Sequence, residues 1–244
     1  MDWPASVALA QSVPELTTGT DWSYEVKLDG HRMILWRTGD RVRLQARSGR
    51  DVTAVWGDLA LAGHRLPAGT VLDGEAVITT EDGRISFEAV QARAASYPTP
   101  APPARRLAAQ RPAHYIAFDA LQLPSPTGDI RARPYGERRA ALLRLLAELP
   151  EPTPIQSVSA TTDRDTALTW YDTLHNQGWL RTTVVSHRAC WTYVSNALVG
   201  CSALCPVRTV GGHEAGVLLQ YGLGVLWVVG EADDSRGDAV PCRR

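Results

Sequence analysis

Tyr24-Glu25-Val26-Lys27-Leu28-Asp29-Gly30-His31-Arg32 is the stretch on which the reading of this chain turns. Residues 24–28 and 31–37 are strand-like runs that flank Asp29-Gly30, a turn signal, so the stretch predicts strand, turn, strand. Lys27 is also the single lysine; the other 24 of the 25 Lys and Arg residues are arginine. Arginine stays protonated near neutrality and does not act as an amine nucleophile, whereas lysine does. Keeping an amine only here points to covalent use of it. Codon bias in a GC-rich genome would also leave one lysine by accident, so the neighbouring residues have to decide.

Working outward, residues 41–47 alternate between polar and apolar, the period of a half-exposed strand, and Thr38-Gly39-Asp40 supplies the hairpin turn before them. Residues 71–79 predict a further strand closed by Glu81-Asp82-Gly83. Ser86 is placed to cap a short helix whose Phe87, Val90 and Ala94 share a face. Residues 98–112 are rich in Pro, Ala and Arg and read as a surface loop, and residues 115–121 read as an apolar strand. Pro134 opens a helix carrying Leu142, Leu145, Leu146 and Leu149 at helical spacing, ended by Glu151-Pro152-Thr153-Pro154. A second helix is predicted over 163–177, with Ala167, Leu168, Tyr171 and Leu174 as its buried stripe. Strands and helices mix without regular alternation, which gives the α+β class.

A chain of 244 residues holds one full domain and little more. Its net charge of −1 provides no overall attraction for nucleic acid, so any such contact depends on a local cationic patch. Asp2, Pro4, Gln11 and Pro14 interrupt any secretory signal, and the most apolar run, 217–229, is too short and glycine-broken to span a bilayer. A cytoplasmic location without membrane partners is the expectation.

Three clusters carry the chemistry: Lys27-Leu28-Asp29-Gly30-His31-Arg32, Leu72-Asp73-Gly74-Glu75 and Ala117-Phe118-Asp119. Lys27, Asp73 and Asp119 lie 46 residues apart in turn. A lysine nucleophile must be neutral to attack, and a nearby cation such as Arg32 or a bound metal favours that form. A planar arginine fork suits phosphate oxygens, a carboxylate such as Glu75 grips a ribose hydroxyl or a metal ion, and Phe118 offers a stacking face to a base. The set resembles the covalent nucleotidyltransferase superfamily of DNA ligases, RNA ligases and mRNA capping enzymes, whose first motif is Lys-x-Asp-Gly-x-Arg. It is most similar to bacterial ATP-dependent DNA ligases. Ala46-Arg47-Ser48-Gly49-Arg50, Asp73-Gly74-Glu75, Phe118-Asp119, the segment from Ser86 to Arg93, and Pro134-Tyr135 with Glu137-Arg138-Arg139 are similar to further segments of that family. The likeness covers roughly residues 10–178.

The resemblance implies a nucleotidyltransferase (ATP-grasp-like) domain of antiparallel sheets flanked by helices, using ATP and Mg2+. Lys27 would form a lysyl–AMP phosphoramidate, AMP would pass to the 5′-phosphate of nicked double-stranded DNA, and the 3′-hydroxyl would displace it. It further implies that Glu25 reads the adenine amino group, that Asp29, Gly30, Arg32 and Arg47 belong to the nucleotide and phosphate site, that Glu75 holds the ribose or metal, and that Phe118 stacks on adenine. DNA end-joining or repair proteins are the implied partners. Plainer readings stand beside these. Asp73 suits a turn, Phe118 suits a core, Asp119 suits a structural carboxylate, Arg138 and Arg139 suit a solvated helix face, and His31 is given no role. An RNA ligase, a capping-type enzyme and a catalytically defective nucleotide-binding remnant are the alternatives.

The likeness stops near residue 178. The family continues with Glu-Gly-Val-Val-x-Lys; laying Val184-Val185 on the valine pair puts Thr182 at the glutamate and His187 at the lysine. No lysine follows, and residues 173–213 contain no Asp or Glu. All four cysteines lie at Cys190 or later. The expected organisation is an adenylation domain over 1–195 without a complete OB-fold, then an atypical tail over 196–244 that is poorly ordered or out of frame, with 217–229 an exposed apolar segment. Cys190, Cys201, Cys205, His187 and His213 could list zinc ligands, but their spacing lacks two tight pairs. The frame change has a direct check: one of the other two frames past the Gly178 codon should encode Glu-Gly-Val-Val-like, lysine-containing sequence, and its absence from both rejects the idea.

Overall fold

The two halves of the Lys27 stretch enter different sheets rather than forming one hairpin. A computed structural model describes residues 1–8, 11–13, 22–96, 106, 108–176, 181–186 and 226–229, with backbone alone for 11–13, 174–176, 181–186 and 226–229. Strands β1 (Gln11–Val13) and β2 (Trp22–Lys27) lie in a five-stranded sheet, while β3 (His31–Arg37) lies in a six-stranded one. The chain continues through β4 (Val42–Ala46), α1 (Gly57–Gly63), β5 (Thr70–Ile78), α2 (Phe87–Ala94), β6 (Ala113–Leu123) and β7 (Gly128–Asp129). Then follow α3 (Tyr135–Ala147), β8 (Ile155–Ser157), β9 (Ala160–Thr161), α4 (Arg164–Asn176), β10 (Arg181–Ser186) and β11 (Leu226–Val229). The larger sheet runs β4-β3-β5-β6-β7, with β8 on β6; the smaller runs β1-β11-β10-β2-β9. The described pairings are antiparallel except β6 with β8 and β10 with β11. The architecture is α+β. Among the described residues no helix is long and apolar enough to cross a membrane.

Consecutive residues Met33, Ile34, Leu35 and Trp36 are all buried, so β3 is covered on both faces. Alternate strand residues point to opposite faces, and each face meets a different partner. Met33 and Leu35 join Leu44, Trp56, Leu59, Val90, Leu142 and Leu145 in the main core beneath the helices. Ile34 and Trp36 join Val71, Leu121 and the N-terminal residues Ala5, Val7 and Ala8 on the opposite face. Gln45 fastens that N-terminal segment, accepting from the Ala5 amide and donating to the Ala5 carbonyl. Gly74 lets β6 approach β5 where their register shifts. A Cβ there would sit 2.5 Å from the Ile116 carbonyl oxygen and 2.8 Å from Cζ of Tyr115. The Tyr115 hydroxyl beneath it reaches the carbonyls of Met33 and Leu72, each at 2.9 Å, tying β6 across β5 to β3.

Several helix expectations need correction. Ser86 does cap α2, accepting from the Ala89 amide at 3.2 Å. Phe87, however, is 53% exposed, and the inward stripe is Val90 with Arg93. Arg93 takes the inward place because its guanidinium pairs with Asp58 of α1 and donates to the Val55 carbonyl at 3.1 Å. Helix α1 had no signal read from the sequence. Of the expected loop 98–112, residues 106 and 108–110 are helical, and 98–105 and 107 lie outside the described residues. In α4, Ala167 is buried as expected, and the Leu174 side chain lies outside the described residues. Leu226–Val229, the end of the apolar run 217–229, is strand-paired on both sides, to β1 and to β10. The remainder of 196–244, and His187, Cys190, Cys201, Cys205 and His213, lie outside the described residues.

Arg138 and Arg139 do not decorate a solvated face. Pro134 caps α3, and the helix lies against β6, which turns both arginines inward. Arg138 is buried and grips Asp119 through Nε at 2.9 Å and Nη2 at 2.7 Å, while Arg139 reaches Glu25 of β2 at 3.5 Å. Asp119 is thus a structural carboxylate, and a buried charge without its partner is costly. Arg138→Leu is expected to lower unfolding free energy by about 3 kcal/mol, with Asp119→Asn in the same chain recovering part of it; urea denaturation measures both. Glu25 behaves differently. Burial pushes its carboxyl up from the ordinary 4.5 to about 7, outweighing Arg139 and the Tyr135 hydroxyl. Its raised value contributes stability fully present below pH 4.5 and lost as pH rises through 7, about 3 kcal/mol in all. Glu25→Gln should therefore narrow the gap between the unfolding temperatures measured at pH 5 and pH 8.

Candidate functional site

Lys27 ends β2 and Arg32 sits near the start of β3, so the loop between them crosses from one sheet to the other. Gly30 makes the crossing possible: a Cβ there would sit 2.6 Å from the Ala76 carbonyl oxygen of β5. Close seating of the loop on β5 also delivers the Gly30 amide to Oε2 of Glu75 at 3.2 Å. The motif glycine is thus fixed by contact with the strand that carries the second cluster. Lys27 is partly exposed, its side chain 26% accessible, with Nζ 3.1 Å from Oδ1 of Asp29. The carboxyl of Glu75 is raised by burial, and the charges of Arg32 and Lys27 act against that rise.

Register in the larger sheet aligns the rest. Arg32 pairs with Glu75, Ile34 with Asp73 and Glu75 with Ile116, so side chains of these three strands share one face. Arg32 donates from Nε at 2.7 Å and from Nη2 at 2.6 Å to the two oxygens of Asp73, a bidentate fork, and from Nη2 to the Ala8 carbonyl at 3.2 Å. Its guanidinium lies 4.3 Å from the centroid of the Phe118 ring. Asp73 is completely buried within β5 and is no turn residue. The fork of Arg32 is therefore taken up by protein. Phe118 is half-buried, with one ring face under that guanidinium, rather than wholly in the core.

Other sequence-derived candidates fall differently. Arg47 lies exposed in the turn after β4, and no hydrogen bond or ion pair joins it to another described residue. His31 packs against Trp56, ring centroids 5.7 Å apart, and burial lowers its pKa. Glu25 is buried; its Oε1 accepts from the Tyr135 hydroxyl and from Nη1 of Arg139 at 3.5 Å. Tyr135 and Arg139 are partners that the sequence reading missed, although both stand in the Pro-Tyr-x-Glu-Arg-Arg segment it singled out. Strand β10 pairs with β2 so that Arg181 lies across from Lys27, Thr182 from Val26 and Thr183 from Glu25. Its six residues, Arg-Thr-Thr-Val-Val-Ser, include no carboxylate.

Among the described residues no three His, Cys, Asp or Glu side chains gather as metal ligands. Magnesium needs only one or two protein carboxylates when phosphate oxygens and water complete its shell. Asp73 is consumed by Arg32 and Asp29 by Lys27, which leaves Glu75 as the carboxylate that fits. A cavity of about 400 Å³ opens beside the loop, lined by Val26, Leu28, Val77, Ile116, Gln156 and Val158 among others. Its lining holds no carboxylate, lysine or arginine; His114 is the basic side chain in it.

Comparison with known proteins agrees with this geometry. The family described as "ATP dependent DNA ligase domain" matches residues 7–179. DNA ligase C of Mycobacterium tuberculosis is 39% identical over 178 residues, covering 72% of this chain and 48% of that protein. The multifunctional non-homologous end joining DNA repair protein LigD of the same organism is 44% identical over 75 residues, covering 30% of this chain and 10% of that protein. Among solved structures, mycobacterial DNA ligase D complexed with ATP and MES superposes with a TM-score of 0.54 at 27% identity, over 72% of this chain and 54% of that one. The chain spans about half the length of curated relatives such as DNA ligase C. A lysine loop clamped between two sheets, with the sequence match across it, places this chain in the ATP-dependent DNA ligase domain family.

Proposed function

We propose that residues 1–195 form the adenylation domain of an ATP-dependent DNA ligase, with Lys27 as its nucleophile. The observation that carries this reading is the convergence of Lys27, Arg32, Glu75 and Phe118 from four strands, β2, β3, β5 and β6, around one loop. In the first step the neutral Nζ of Lys27 attacks the α-phosphorus of ATP. A P–N bond forms, the bond to the bridging oxygen breaks, pyrophosphate leaves and the amine releases its proton. In the second, the 5′-phosphate of a nick takes AMP from the lysine. In the third, the 3′-hydroxyl displaces AMP and the strand is sealed.

The contacts support a division of labour among these residues. Gly30 holds the lysine loop against β5, and Asp29 accepts from the Lys27 amine within that loop. Glu75, oriented by the Gly30 amide, grips the ribose or a magnesium ion, which when bound neutralises phosphate charge. Phe118 presents its ring to the base. Arg32, fixed by Asp73, brings a permanent positive charge toward the phosphates without further reorganisation. Arg47, on the exposed turn, meets the nucleotide phosphates or the DNA strand from outside. Glu25 reads the adenine amino group. Relatives named for non-homologous end joining support end-joining or repair proteins as partners, and nicked duplex DNA as substrate. One observation favours a second reading, a nucleotide-binding chain that does not turn over: β10 borders Lys27 but bears no carboxylate.

Incubation of the full chain with ATP and magnesium should add one AMP to Lys27, read as a mass shift on its peptide. Lys27→Arg should abolish the shift while leaving the unfolding temperature within about 2 °C, as expected of a partly exposed side chain. Equal labelling of the Arg variant rejects the assignment. Labelling without sealing of a nicked duplex selects the second reading, and labelling by GTP instead of ATP selects a capping-type enzyme.

A further inference from the structure

We infer that Tyr135 and Arg139 are positioning residues for Glu25, and that this buried trio sets a preference for nucleobases bearing a 6-amino group over those bearing a 6-oxo group. The inference rests on the nucleotide-binding reading given above and adds to it two residues of α3 that do not touch the nucleotide. Glu25 lies two residues before Lys27 on β2, so both occupy the same face of the strand. Both contacts to its carboxyl fall on one oxygen: Oε1 accepts from the Tyr135 hydroxyl and from Nη1 of Arg139 at 3.5 Å. Arg139 is itself anchored, donating from Nη2 to the Val158 carbonyl at 2.5 Å. No described hydrogen bond reaches Oε2.

An ionised carboxylate only accepts hydrogen bonds. Adenine presents a donor at its 6-amino group, whereas hypoxanthine and guanine present an acceptor at the same place. With Oε1 engaged and Oε2 available, ionised Glu25 matches the first and opposes the second. Its ionisation is finely balanced. Burial drives the carboxyl toward the neutral form, Asp119 of β6 adds to that, and Arg139, Tyr135 and Arg32 of β3 oppose it, leaving the group at about 7. Removing Arg139 or the Tyr135 hydroxyl tips it to the neutral acid. The acid gains an O–H donor, which a 6-oxo base accepts. Tyr135 remains a donor throughout, since burial and Glu25 raise its own pKa. The two α3 side chains thus determine which hydrogen-bonding partner Glu25 offers.

Affinities of the full chain for ATP and for inosine triphosphate, measured by calorimetry in EDTA at pH 7.5, test this. Wild type should favour ATP. Tyr135→Phe and Arg139→Gln should each lower the ATP-to-inosine-triphosphate ratio by about tenfold, the scale of one charge-assisted hydrogen bond, and Arg139→Lys should recover most of it. Lowering the pH to 6 should lower the wild-type ratio in the same direction. Unfolding temperatures are measured alongside. A lowered temperature with an unchanged ratio means that the trio only supports the fold, which overturns the inference, as does equal wild-type affinity for the two nucleotides. Normal AMP labelling of Lys27 with unchanged ratios sinks this inference alone. Altered ratios without labelling sink only the assignment of Lys27, and absence of binding by either nucleotide sinks both.

Discussion

The bidentate pair between Arg32 and Asp73 is the constraint around which the molecule is arranged. Asp73 is wholly buried in a central strand, where an unpartnered carboxylate would be untenable. Its demand for a cation is met by the arginine that ends the lysine motif, which ties the start of β3 to β5 beside the crossing loop. The same guanidinium covers Phe118 and touches the carbonyl of Ala8, so one side chain joins β3, β5, β6 and the N-terminal segment. A neutral replacement would leave Asp73 exposed to the full penalty of burial. The motif arginine therefore has a structural duty in the larger sheet.

The glycines of the two acidic clusters serve that arrangement by close approach. Gly30 and Gly74 stand where a Cβ would fall 2.6 and 2.5 Å from backbone oxygens of neighbouring strands. Each allows a chain to press close enough for the next residue to matter: the Gly30 amide reaches Glu75, and β6 packs tightly behind Gly74 so that Phe118 and Asp119 emerge on the right strand. The sheet separates duties by face. The helix-covered face is dense and apolar, while the other bears an apolar patch at the N-terminal segment and, beyond it, the charged cluster. This places the side chains of the charged cluster on strands rather than on loops.

The smaller sheet raises a different point. Strand β10 takes its place beside β2 although its residues lack the glutamate that the family resemblance leads one to expect there. Strand pairing is a backbone property, and Val184 and Val185 suffice for it. Metal binding is a side-chain property and does not follow from the pairing. Backbone pairing is therefore present at a position where the expected side chain is not, and Glu75, held by the Gly30 amide, is the carboxylate of the described cluster that no described arginine or lysine pairs with directly.

The sequence by itself determined much. Strands β3, β4, β5 and β6 and helices α2, α3 and α4 follow from periodicity and turn residues, because those signals are local. The family followed from the lysine motif and the ordered acidic clusters, since covalent chemistry restricts residue types at short spacing. Only the tertiary structure decided what each charge faces. Arg138 and Arg139 look solvated in sequence because a helix does not declare which neighbour covers it, and their partners Asp119 and Glu25 lie 19 and 114 residues away. Asp73 resembles a turn residue until β3 supplies Arg32 across the register. Phe87 fits the apolar stripe of α2 but is displaced from it because Asp58, on another helix, draws Arg93 inward. Ion pairs buried between distant elements depend on geometry that no local pattern encodes, and the arrangement of the charged cluster rests on them.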